Sequence, residues 1–351
     1  MGSNSFGQYF QVTTWGESHG KEMGVVIDGC PPKIKISQER LNEALKKRAP
    51  GQTPWTSPRK ETDIAEIVSG VYKGMTTGHP IAIRIPNKDV RSSAYKGMEQ
   101  VLRPGHANAT YLEKYGIHDY RGGGRASARE TACRVAAGAV AEQILDGVEV
   151  YAYLKEVGSV AIERVDLNHL EKSPIFCPDP AAELQMIEAI EKVIAERDSL
   201  GGIVEVVAKN VPIGLGDPVY QKLEANLAFA MLSIPASKGF EIGCGFSAAK
   251  MKGSEHNDPF VSLKETKTNN AGGTLGGISN GMPVVCRVAF KPTSSIGLIQ
   301  QTVDLEGMPT TYQLPEGSRH DPCVTIRAVP VVRAMMLLVL ADRWVKKFGG
   351  V

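Results

Sequence analysis

Three observations predict an α+β fold for this chain of 351 residues. Short apolar and β-branched runs predict strands, and longer stretches with apolar residues three and four positions apart predict helices. The two kinds of element do not alternate strictly, as a doubly wound parallel sheet would require. The composition, 42% hydrophobic and 22% charged residues, is that of an ordinary globular protein with a sizeable core. Strands are predicted near residues 22–27, 80–85, 148–154, 203–208 and 283–290.

Helices are predicted in four places. The first begins at Ser37 and shows a helical spacing in Leu41, Ala44, Leu45 and Arg48. The second begins with SARE, where Ser127 and Glu130 are predicted to form a capping box. Small residues surround its apolar face, so we expect it to be buried and closely packed along Ala132, Val135, Ala136, Ala139 and Val140. The third covers AAELQMIEAIEKVIAERDS, and the last runs from about Pro330 to Phe348.

The overall charge and the cysteines limit the classes of partner. The net charge is +2, so no overall field favours nucleic acid, and none is expected as a partner. The apolar run AMMLLVLA is too short to span a membrane, and the start MGSNSFGQYF has no export signal. Six scattered cysteines without a C-x-x-C pair predict reduced thiols and no metal site. We therefore expect a cytoplasmic protein without a membrane partner.

Two segments carry a local excess of positive charge. Residues 44–60 contain five cationic side chains and no acidic one, and residues 121–134 contain four arginines and one glutamate. Basic clusters on a nearly neutral chain favour a small anionic ligand over a polyanion. Solvated surface charge is the alternative, but it fits less well where arginines stand among glycines, as in YRGGGRASAR.

The segment YRGGGRASARETACRVAAGAVA joins a glycine tract to the start of a helix. Glycines let the backbone approach a ligand closely, and a helix N-terminus presents unpaired N–H groups to an anion. Arg125 and Arg129 add bidentate donors to the same turn. The segment is not a P-loop, because no G-x-x-x-x-G-K-[ST] is present. It predicts an anion site, with an ordinary glycine-rich helix entry as the alternative.

GESHG, residues 16–20, fits the G-x-S-x-G elbow of serine hydrolases, which would make Ser18 a nucleophile. That elbow requires a helix after the serine, whereas KEMGVVIDGCPP predicts a short strand and a turn. The neighbouring His19 is therefore the more informative residue. His106, in RPGHAN, is a second histidine in a glycine-flanked turn. A nearby anion would keep such an imidazole protonated, which suits a general acid.

Two later segments add candidate anion contacts. FKPTSSI, residues 290–296, places a lysine and three hydroxyl groups in one loop after a predicted strand. GSRHDPCVTIRAVP, residues 317–330, pairs Arg319 with Asp321 at a turn. Either segment alone is a weak signal.

Together these segments resemble the chorismate synthase family over nearly the whole chain and in the same order. GESHGKEMGVVIDGCP, GRASARETACRVAAGAVA and RHDPCVTIRAVP are similar to its three signature segments. RPGHAN, KYGIHDYRGGGR, IPASKGFEIG, NNAGGTLGGISNG and KPTSSI lie between them. The resemblance implies a single domain over residues 1–351, built as a β-α-β sandwich with helices between two antiparallel sheets. It also implies a homotetramer.

The activity implied by the resemblance is that of a lyase. Members convert 5-enolpyruvylshikimate 3-phosphate to chorismate and phosphate by a 1,4-anti elimination. They require reduced FMN although the reaction has no net redox change. By motif, His19 would protonate or stabilise the departing phosphate. His106 would keep the reduced flavin in its productive protonation state, and Asp321 would help the flavin N5 take the substrate proton.

The ligand contacts implied by the resemblance fall on the same segments. The substrate would be held by Arg48, Arg125, Arg129 and Arg327. The flavin would be contacted by Arg48, Arg125, Ala126, Ser127, Ala236, Ser237, Gly276, Lys291, Pro292, Thr293, Ser294, Ser295 and Arg319.

Two departures from the family pattern affect these expectations. Many relatives carry arginines where this chain has Ala49 and Pro54, so Arg48 or Arg59 would have to compensate. The chain lacks the long insertions of fungal relatives that reduce their own flavin with NADPH. It therefore resembles the monofunctional bacterial type and would depend on an external flavin reductant. The alternatives are a serine hydrolase acting through Ser18 and a non-catalytic flavin- or anion-binding relative.

Overall fold

The computed structural model describes residues 2–59, 61–89, 98–314 and 320–349. Its strands are, in chain order, β1 (Ser5–Phe6), β2 (Gln11–Trp15), β3 (Glu22–Asp28), β4 (Glu66–Ile67), β5 (Val71–Tyr72), β6 (Met75–Thr76), β7 (Ile81–Pro86), β8 (Glu149–Val157), β9 (Val160–Ala161), β10 (Gly202–Lys209), β11 (Ser237–Ile242), β12 (Phe260–Ser262), β13 (Glu265–Thr266), β14 (Thr274–Leu275), β15 (Ile278–Ser279), β16 (Val284–Phe290), β17 (Gln300–Val303) and β18 (Pro309–Tyr312). Its α-helices are α1 (Gln38–Arg48), α2 (Asn108–Tyr115), α3 (Thr131–Glu142), α4 (Leu167–Leu170), α5 (Pro180–Ala195), α6 (Leu223–Leu232), α7 (Gly253–His256) and α8 (Val324–Phe348).

Two five-stranded antiparallel sheets form the outer layers. The first has the order β1-β2-β3-β7-β4 and the second the order β11-β16-β10-β8-β9. In the first sheet Val25 lies opposite Ile83, and in the second Val204 lies opposite Val288. The five predicted strands correspond to β3, β7, β8, β10 and β16, which make up the centres of both sheets, so those predictions are confirmed.

The helices α3 and α8 lie between the two sheets. α3 packs against β3 and β7 of the first sheet, while α8 packs against β8 and β10 of the second, and the two helices pack against each other. Nearly every side chain of both helices is buried, as predicted for the helix after SARE. A helix enclosed on all sides is apolar all round rather than amphipathic. The arrangement confirms the α+β class with helices between two antiparallel sheets.

α1 begins where the sequence predicts it, whereas α8 begins earlier. The Ser37 Oγ accepts a hydrogen bond from the backbone N–H of Arg40 at 3.2 Å, which caps α1. α8 starts at Val324 instead of near Pro330, and Pro330 lies inside it. Proline removes one intrahelical hydrogen bond, so its position suggested a helix start; here the burial of the surrounding turns offsets that loss.

The predicted capping box between Ser127 and Glu130 is wrong, because neither of its two reciprocal hydrogen bonds forms between these residues. Ser127 Oγ does accept a hydrogen bond from the backbone N–H of Arg129, at 3.3 Å. The Glu130 carboxylate, however, accepts hydrogen bonds from Thr14 and Arg134. Residues Ala128–Glu130 form a 3-10 turn before α3. The buried Glu130 carboxylate is neutralised by Arg134, one helical turn further on. Neutralising a buried charge matters more for stability than capping a helix end.

By length and composition alone, α8 could cross a membrane. In the folded protein 83% of its apolar 18-residue window is buried. The core helix of a folded protein passes the same test of length and composition. The run AMMLLVLA, which was judged too short to span, is thus the middle of a longer apolar helix.

Gly138 brings α3 and α8 into close contact. A Cβ added at Gly138 would lie 2.7 Å from the Cβ of Ala334 and 2.9 Å from its Cα. Real Cβ atoms do not approach other carbon atoms this closely, so the helices could not keep their separation with a larger residue at either position.

Replacing Gly138 with alanine is therefore expected to lower the free energy of unfolding. Alanine normally stabilises a helix interior by about 1 kcal/mol relative to glycine. Overpacking against Ala334 costs about 1–3 kcal/mol and reverses the sign. Urea unfolding measures the difference. Gly253→Ala is the matched control, because nothing lies within 4 Å of its added Cβ. Equal or greater stability of Gly138→Ala would contradict the close helix contact.

Candidate active site

A cavity of about 1090 Å³ collects most of the residues that the sequence singled out. The residues that line it, called the cavity wall below, come from the N-terminal segment, the loop after α1 with Ser57 and Arg59, the segments before and after α2, the glycine tract Gly122–Gly124, the end of α6, the loop after β16 and the beginnings of α3 and α8. Both buried helices thus direct their N-terminal ends at the cavity. Unpaired N–H groups and the helix dipole favour an anion there.

The cavity wall carries more positive than negative side chains. Its arginines and lysine are Arg59, Arg103, Arg125, Arg129, Arg134, Lys291 and Arg327. Its carboxylates are Glu17, Asp119, Glu130 and Asp321. A recess of this size and charge suits a ligand with several anionic groups.

The glycine tract lies against both predicted histidines. A Cβ added at Gly122 would lie 2.0 Å from Cε1 of His19, and one at Gly123 would lie 3.1 Å from Nε2 of His106. The two glycines have φ values of 62° and 89°, which side chains rarely adopt. The sequence analysis assigned the glycines to a close approach between backbone and ligand. In the structure they permit a close approach between backbone and imidazole, and they bring the two histidines to adjacent residues of one turn.

Ser18 does not have the setting of a nucleophile. Its side chain is buried, and its Oγ lies 3.1 Å from Nδ1 of His19. The chain continues from this turn into β3, a strand, whereas a nucleophile elbow leads into a helix. The serine-hydrolase interpretation of GESHG is therefore wrong in its structural context. His19 itself is on the cavity wall.

His106 lies in a largely buried and cationic environment. Burial, followed by Arg103, His118 and Lys291, lowers the pKa of His106 to about 3. The imidazole is therefore neutral in the protein without an anionic ligand. Its Nδ1 is buried and has no hydrogen-bond partner among the described residues. The ring of His118 meets it edge-on, with 6.5 Å between the ring centroids.

Asp321 is held on both of its carboxylate oxygens. Oδ1 accepts a hydrogen bond from the backbone N–H of Ser57 at 2.8 Å, and Oδ2 accepts one from Nη1 of Arg327 at 2.8 Å. The backbone carbonyl of Asp321 accepts a hydrogen bond from Oγ1 of Thr293 at 2.6 Å. Asp321 thereby joins three segments of the wall that are far apart in the chain.

Arg125 is held at the cavity by uncharged acceptors among the described residues. Its guanidinium donates to Thr14 Oγ1 at 2.8 Å, to the Gly16 carbonyl at 3.0 Å and to Asn4 Oδ1 at 3.1 Å. These acceptors are all uncharged, so they orient the side chain without neutralising it. Arg125 is on the cavity wall, where the sequence predicts an anion site.

Arg129 and Arg48 share one buried carboxylate, but only Arg129 is on the cavity wall. Nη1 of Arg129 contacts Oδ1 of Asp63, and Nη1 of Arg48 lies 3.6 Å from Oδ2 of Asp63. Arg48 also donates to Thr131 and to the Ala128 carbonyl, and burial is the main cause that lowers its pKa to about 9. Enclosed by these partners, Arg48 supports the wall from behind. The predicted direct contact of Arg48 with substrate or flavin does not follow from this geometry.

The other predicted flavin contacts fall into three groups. On the cavity wall are Ala126, Ser127, Ala236, Lys291, Pro292, Thr293, Ser294 and Ser295. Ser237 and Gly276 lie off the wall. Ser237 Oγ donates to the Ile234 carbonyl at 2.7 Å, and Gly276 is exposed in the turn between β14 and β15. Arg319 lies outside the described residues.

The basic loop after α1 contains Ala49, Pro54 and Arg59. Ala49 is buried and Pro54 is exposed, and neither is on the cavity wall. Arg59 is on the wall, where its Nη2 lies 2.6 Å from Oε1 of Glu61. Of the two compensating arginines that the sequence suggested, Arg59 is therefore the one in position, while Arg48 is not.

Several residues at or near the site were not predicted from the sequence. His118 and His320 are on the cavity wall, and Glu61 and Asp63 lie directly behind it. His118 stands close to the glycine tract in KYGIHDYRGGGR, and that position was an available signal. The alternation of exposed and buried residues that turns Glu61 and Asp63 inward is visible only in the structure.

None of the six cysteines, all of which lie in the described part of the chain, is on the cavity wall. The six cysteines are free, and burial raises the pKa of thiols such as Cys133, to about 12. Within the described ranges, no group of three or more His, Cys, Asp or Glu side chains is arranged to hold a metal ion.

Known proteins resemble this chain over almost its whole length. A family model described as chorismate synthase matches residues 10–345. The chain is 58% identical to a chorismate synthase of Protochlamydia amoebophila (strain UWE25), with 97% of each chain covered. It is 50% identical to one of Opitutus terrae, with 98% of this chain and 97% of the relative covered. A crystal structure of chorismate synthase superimposes with a TM-score of 0.77 at 32% identity, covering 98% of this chain and 94% of that one. From the family match and the identity over the full length, the chain belongs to the chorismate synthase family.

Proposed function

We propose that the chain converts 5-enolpyruvylshikimate 3-phosphate to chorismate and phosphate, as a carbon–oxygen lyase. The C–O bond to the phosphate breaks and a proton leaves carbon in a 1,4 relation to it, so no electrons are gained or lost overall. The observation that carries the proposal is a cation-lined cavity whose wall contains His19, His106 and Asp321 together. The family match over residues 10–345 supports the same reaction.

Reduced FMN is proposed as the cofactor, and the residues present fit it. His106 Nδ1, His320 Nδ1 and Arg103 Nε are buried and lack hydrogen-bond partners among the described residues. They would offer polar contacts to a ring edge and a phosphate. Small-molecule sites occupy roughly 300–1,000 Å³, so a cavity of about 1090 Å³ has room for cofactor and substrate together. When bound, reduced FMN would supply an electron-rich ring and an acceptor for the substrate proton.

The anionic groups of the substrate are proposed to lie near the beginnings of α3 and α8. The substrate carries a phosphate and two carboxylates, and the helix N-termini add favourable dipoles to the arginines. Arg125 has only uncharged partners in its hydrogen bonds, and Nη2 of Arg129 has no hydrogen-bond partner among the described residues. Arg327 is oriented by Asp321. These three arginines are the proposed substrate contacts.

His19 is proposed to donate a proton or a hydrogen bond to the departing phosphate. Its ring is held between Ser18 Oγ and the glycine backbone at Gly122. The Asp119 carboxylate interacts electrostatically with it. A nearby carboxylate stabilises an imidazole that carries a proton during transfer.

His106 is proposed to respond to the charge of the bound cofactor. Without an anion it is neutral, because burial and the cations Arg103 and Lys291 oppose protonation. An anionic group placed among those cations would compensate for them and raise the pKa of His106. The residue could then hold or release a proton beside the cofactor, which is the role that the family resemblance implies.

Asp321 is proposed to assist removal of the substrate proton. Both of its oxygens already accept hydrogen bonds, so the carboxylate is held in one place by Ser57 and Arg327. A fixed negative charge stabilises positive charge that develops nearby during proton transfer, and needs no reorganisation to do so.

The remaining proposals follow from family membership. We propose a homotetramer of single-domain subunits in the cytoplasm, supplied with reduced flavin by another protein. The near-complete coverage of bacterial relatives of similar length supports the monofunctional type. A non-catalytic flavin- or anion-binding relative is the alternative that the assay below excludes.

An anaerobic assay with 5-enolpyruvylshikimate 3-phosphate tests the function. With chemically reduced FMN, chorismate and phosphate are expected in equal amounts. With oxidised FMN and NADPH, no product is expected, since no self-reducing activity is proposed. Product in the second condition would contradict the monofunctional type. Flavin binding without product in either condition would support the non-catalytic alternative.

Alanine variants test the two histidines. His19→Ala and His106→Ala should each lower turnover by about 10²–10⁴-fold, the usual effect of losing a general acid or base. His79→Ala is the control, because His79 is exposed and off the cavity wall. Turnover near that of the control would remove the assigned role from the histidine concerned.

The protonation of His106 can be followed by NMR of histidine side chains. In the ligand-free protein its ring should stay neutral from pH 8 to pH 5, since its pKa is lowered from 6.5 to about 3. The unfolded chain binds this proton below about pH 6.5, so the stabilising contribution is present above that pH and falls as pH drops towards 3. Added FMN should raise the pKa. Titration near pH 6.5 without ligand would contradict the buried cationic environment.

A further inference from the structure

Two carboxylates with no exposed surface lie behind Arg129. The side chains of Glu61 and Asp63 are both 0% exposed, and the side chain of Arg129 is 3% exposed. Neither carboxylate is on the cavity wall, whereas Arg129 is. The sequence analysis assigned no role to Glu61 or Asp63.

Residues 57–59 and 61–63, on either side of position 60, place these carboxylates. Ser57 and Arg59 are on the cavity wall, and Glu61 and Asp63 are buried behind it, while Pro58 and Thr62 are exposed. Successive side chains of an extended chain point in opposite directions, so every second residue faces inward. One short segment thus contributes both to the cavity wall and to its support.

The contacts of Arg129 define its orientation from three sides. Nη1 contacts Oδ1 of Asp63, Nε donates to Oδ1 of Asn87 at 3.0 Å, and Nη2 lies 3.9 Å from Oε2 of Glu61. Nη2 has no hydrogen-bond partner among the described residues. The guanidinium is therefore fixed through Nη1 and Nε, and Nη2 is left with hydrogen-bonding capacity.

Asp63 also separates Arg129 from a second buried arginine. Its Oδ2 lies 3.6 Å from Nη1 of Arg48, and the Arg48 carbonyl accepts a hydrogen bond from Nε of Arg327 at 3.2 Å. A single carboxylate thus stands between two guanidinium groups that would otherwise repel each other in a medium of low dielectric constant. Without it, Arg129 and Arg48 would have to move apart.

We propose that Asp63, supported by Glu61, is a positioning residue that fixes the Arg129 guanidinium for an anionic group of the substrate. The proposal rests on the proposed function, in which Arg129 contacts that group. Asp63 touches no ligand and acts only through Arg129 and Arg48.

Positioning and simple electrostatics predict opposite results for Asp63→Asn. If Asp63 were only a negative charge near the cavity, its neutralisation would strengthen the attraction for an anion, and KM would fall. If Asp63 positions Arg129, the guanidinium moves and KM rises. Displacement of a binding group by about 1 Å can lower kcat/KM by up to 100-fold.

The experiment compares Asp63→Asn with the wild-type protein in anaerobic turnover and in calorimetric binding of inorganic phosphate. KM for 5-enolpyruvylshikimate 3-phosphate and Kd for phosphate should both rise by about 10- to 100-fold. kcat should change little, because the anionic group is bound in ground state and transition state alike. An unchanged or lower KM would overturn the proposal.

Asp179→Asn is the matched control for the loss of a buried carboxylate. Asp179 is 3% exposed, accepts hydrogen bonds from backbone N–H groups of Glu163 and Ala181, and lies 3.5 Å from Arg164. None of these residues is on the cavity wall. The control should lose stability without a change in KM or in Kd for phosphate. An equal rise in KM in both variants would indicate a general loss of folding and overturn the positioning role.

Glu61→Gln decides the matter if Asp63→Asn does not fold, as judged by circular dichroism. It leaves the contact between Asp63 and Arg129 in place but removes the charge that lies near Nη2 of Arg129 and pairs with Arg59, so a smaller rise in KM is expected. An unchanged KM in Glu61→Gln would then overturn the proposal. Failure of the proposed function is separately visible: the wild type would make no chorismate, while the phosphate measurements would still report on Arg129.

Discussion

The packing of α3 against α8 between the two sheets is the constraint on which the site depends. Each fully buried Leu, Val or Met side chain contributes about 1.5–3 kcal/mol, so enclosing two apolar helices is a large stabilising term. The contact at Gly138 and Ala334 sets their separation. The N-terminal ends of both helices then lie at one cavity. Arg125 and Arg129 precede α3, and Arg327 lies in the first turn of α8. The same packing thus places both the helix dipoles and the arginines at the site.

Positive charge at the cavity is compatible with a folded protein because much of it is compensated from behind. Asp63 stands between Arg129 and Arg48, and Asp321 holds Arg327. Arg125 is oriented by uncharged acceptors among the described residues. Burying unpaired charges costs far more than burying charges with partners. The wall can therefore attract anions without destabilising the helix ends on which it is built.

The glycine tract explains why the two histidines belong to one site. His19 comes from the turn before β3 and His106 from the turn before α2, and nothing in their own segments brings them together. Gly122 and Gly123 provide the common surface, because the absence of side chains lets both rings approach the same turn. Ala49 and Pro54 stand where the family resemblance leads us to expect arginines. Neither position is on the cavity wall, and Arg59 is.

Local sequence patterns were sufficient to predict the class of fold, the central strands, the start of α1 and the burial of the helix after SARE. These features depend on residues a few positions apart, and periodicity records them directly. The motifs GESHG, RPGHAN, YRGGGR and KPTSSI also marked segments that meet at the cavity.

Only the tertiary structure decided how those segments act. Arg48, four helical positions after Ala44, lies behind the wall because Asp63 and Thr131 enclose it. Glu130 pairs with Arg134 instead of completing a cap, and His106 is neutral because Lys291, far along the chain, lies beside it. By itself the sequence determined which residues are available and which local conformations they adopt. Contacts between residues remote in the chain determined charge state, burial and orientation, since all three depend on the groups that surround a side chain in space.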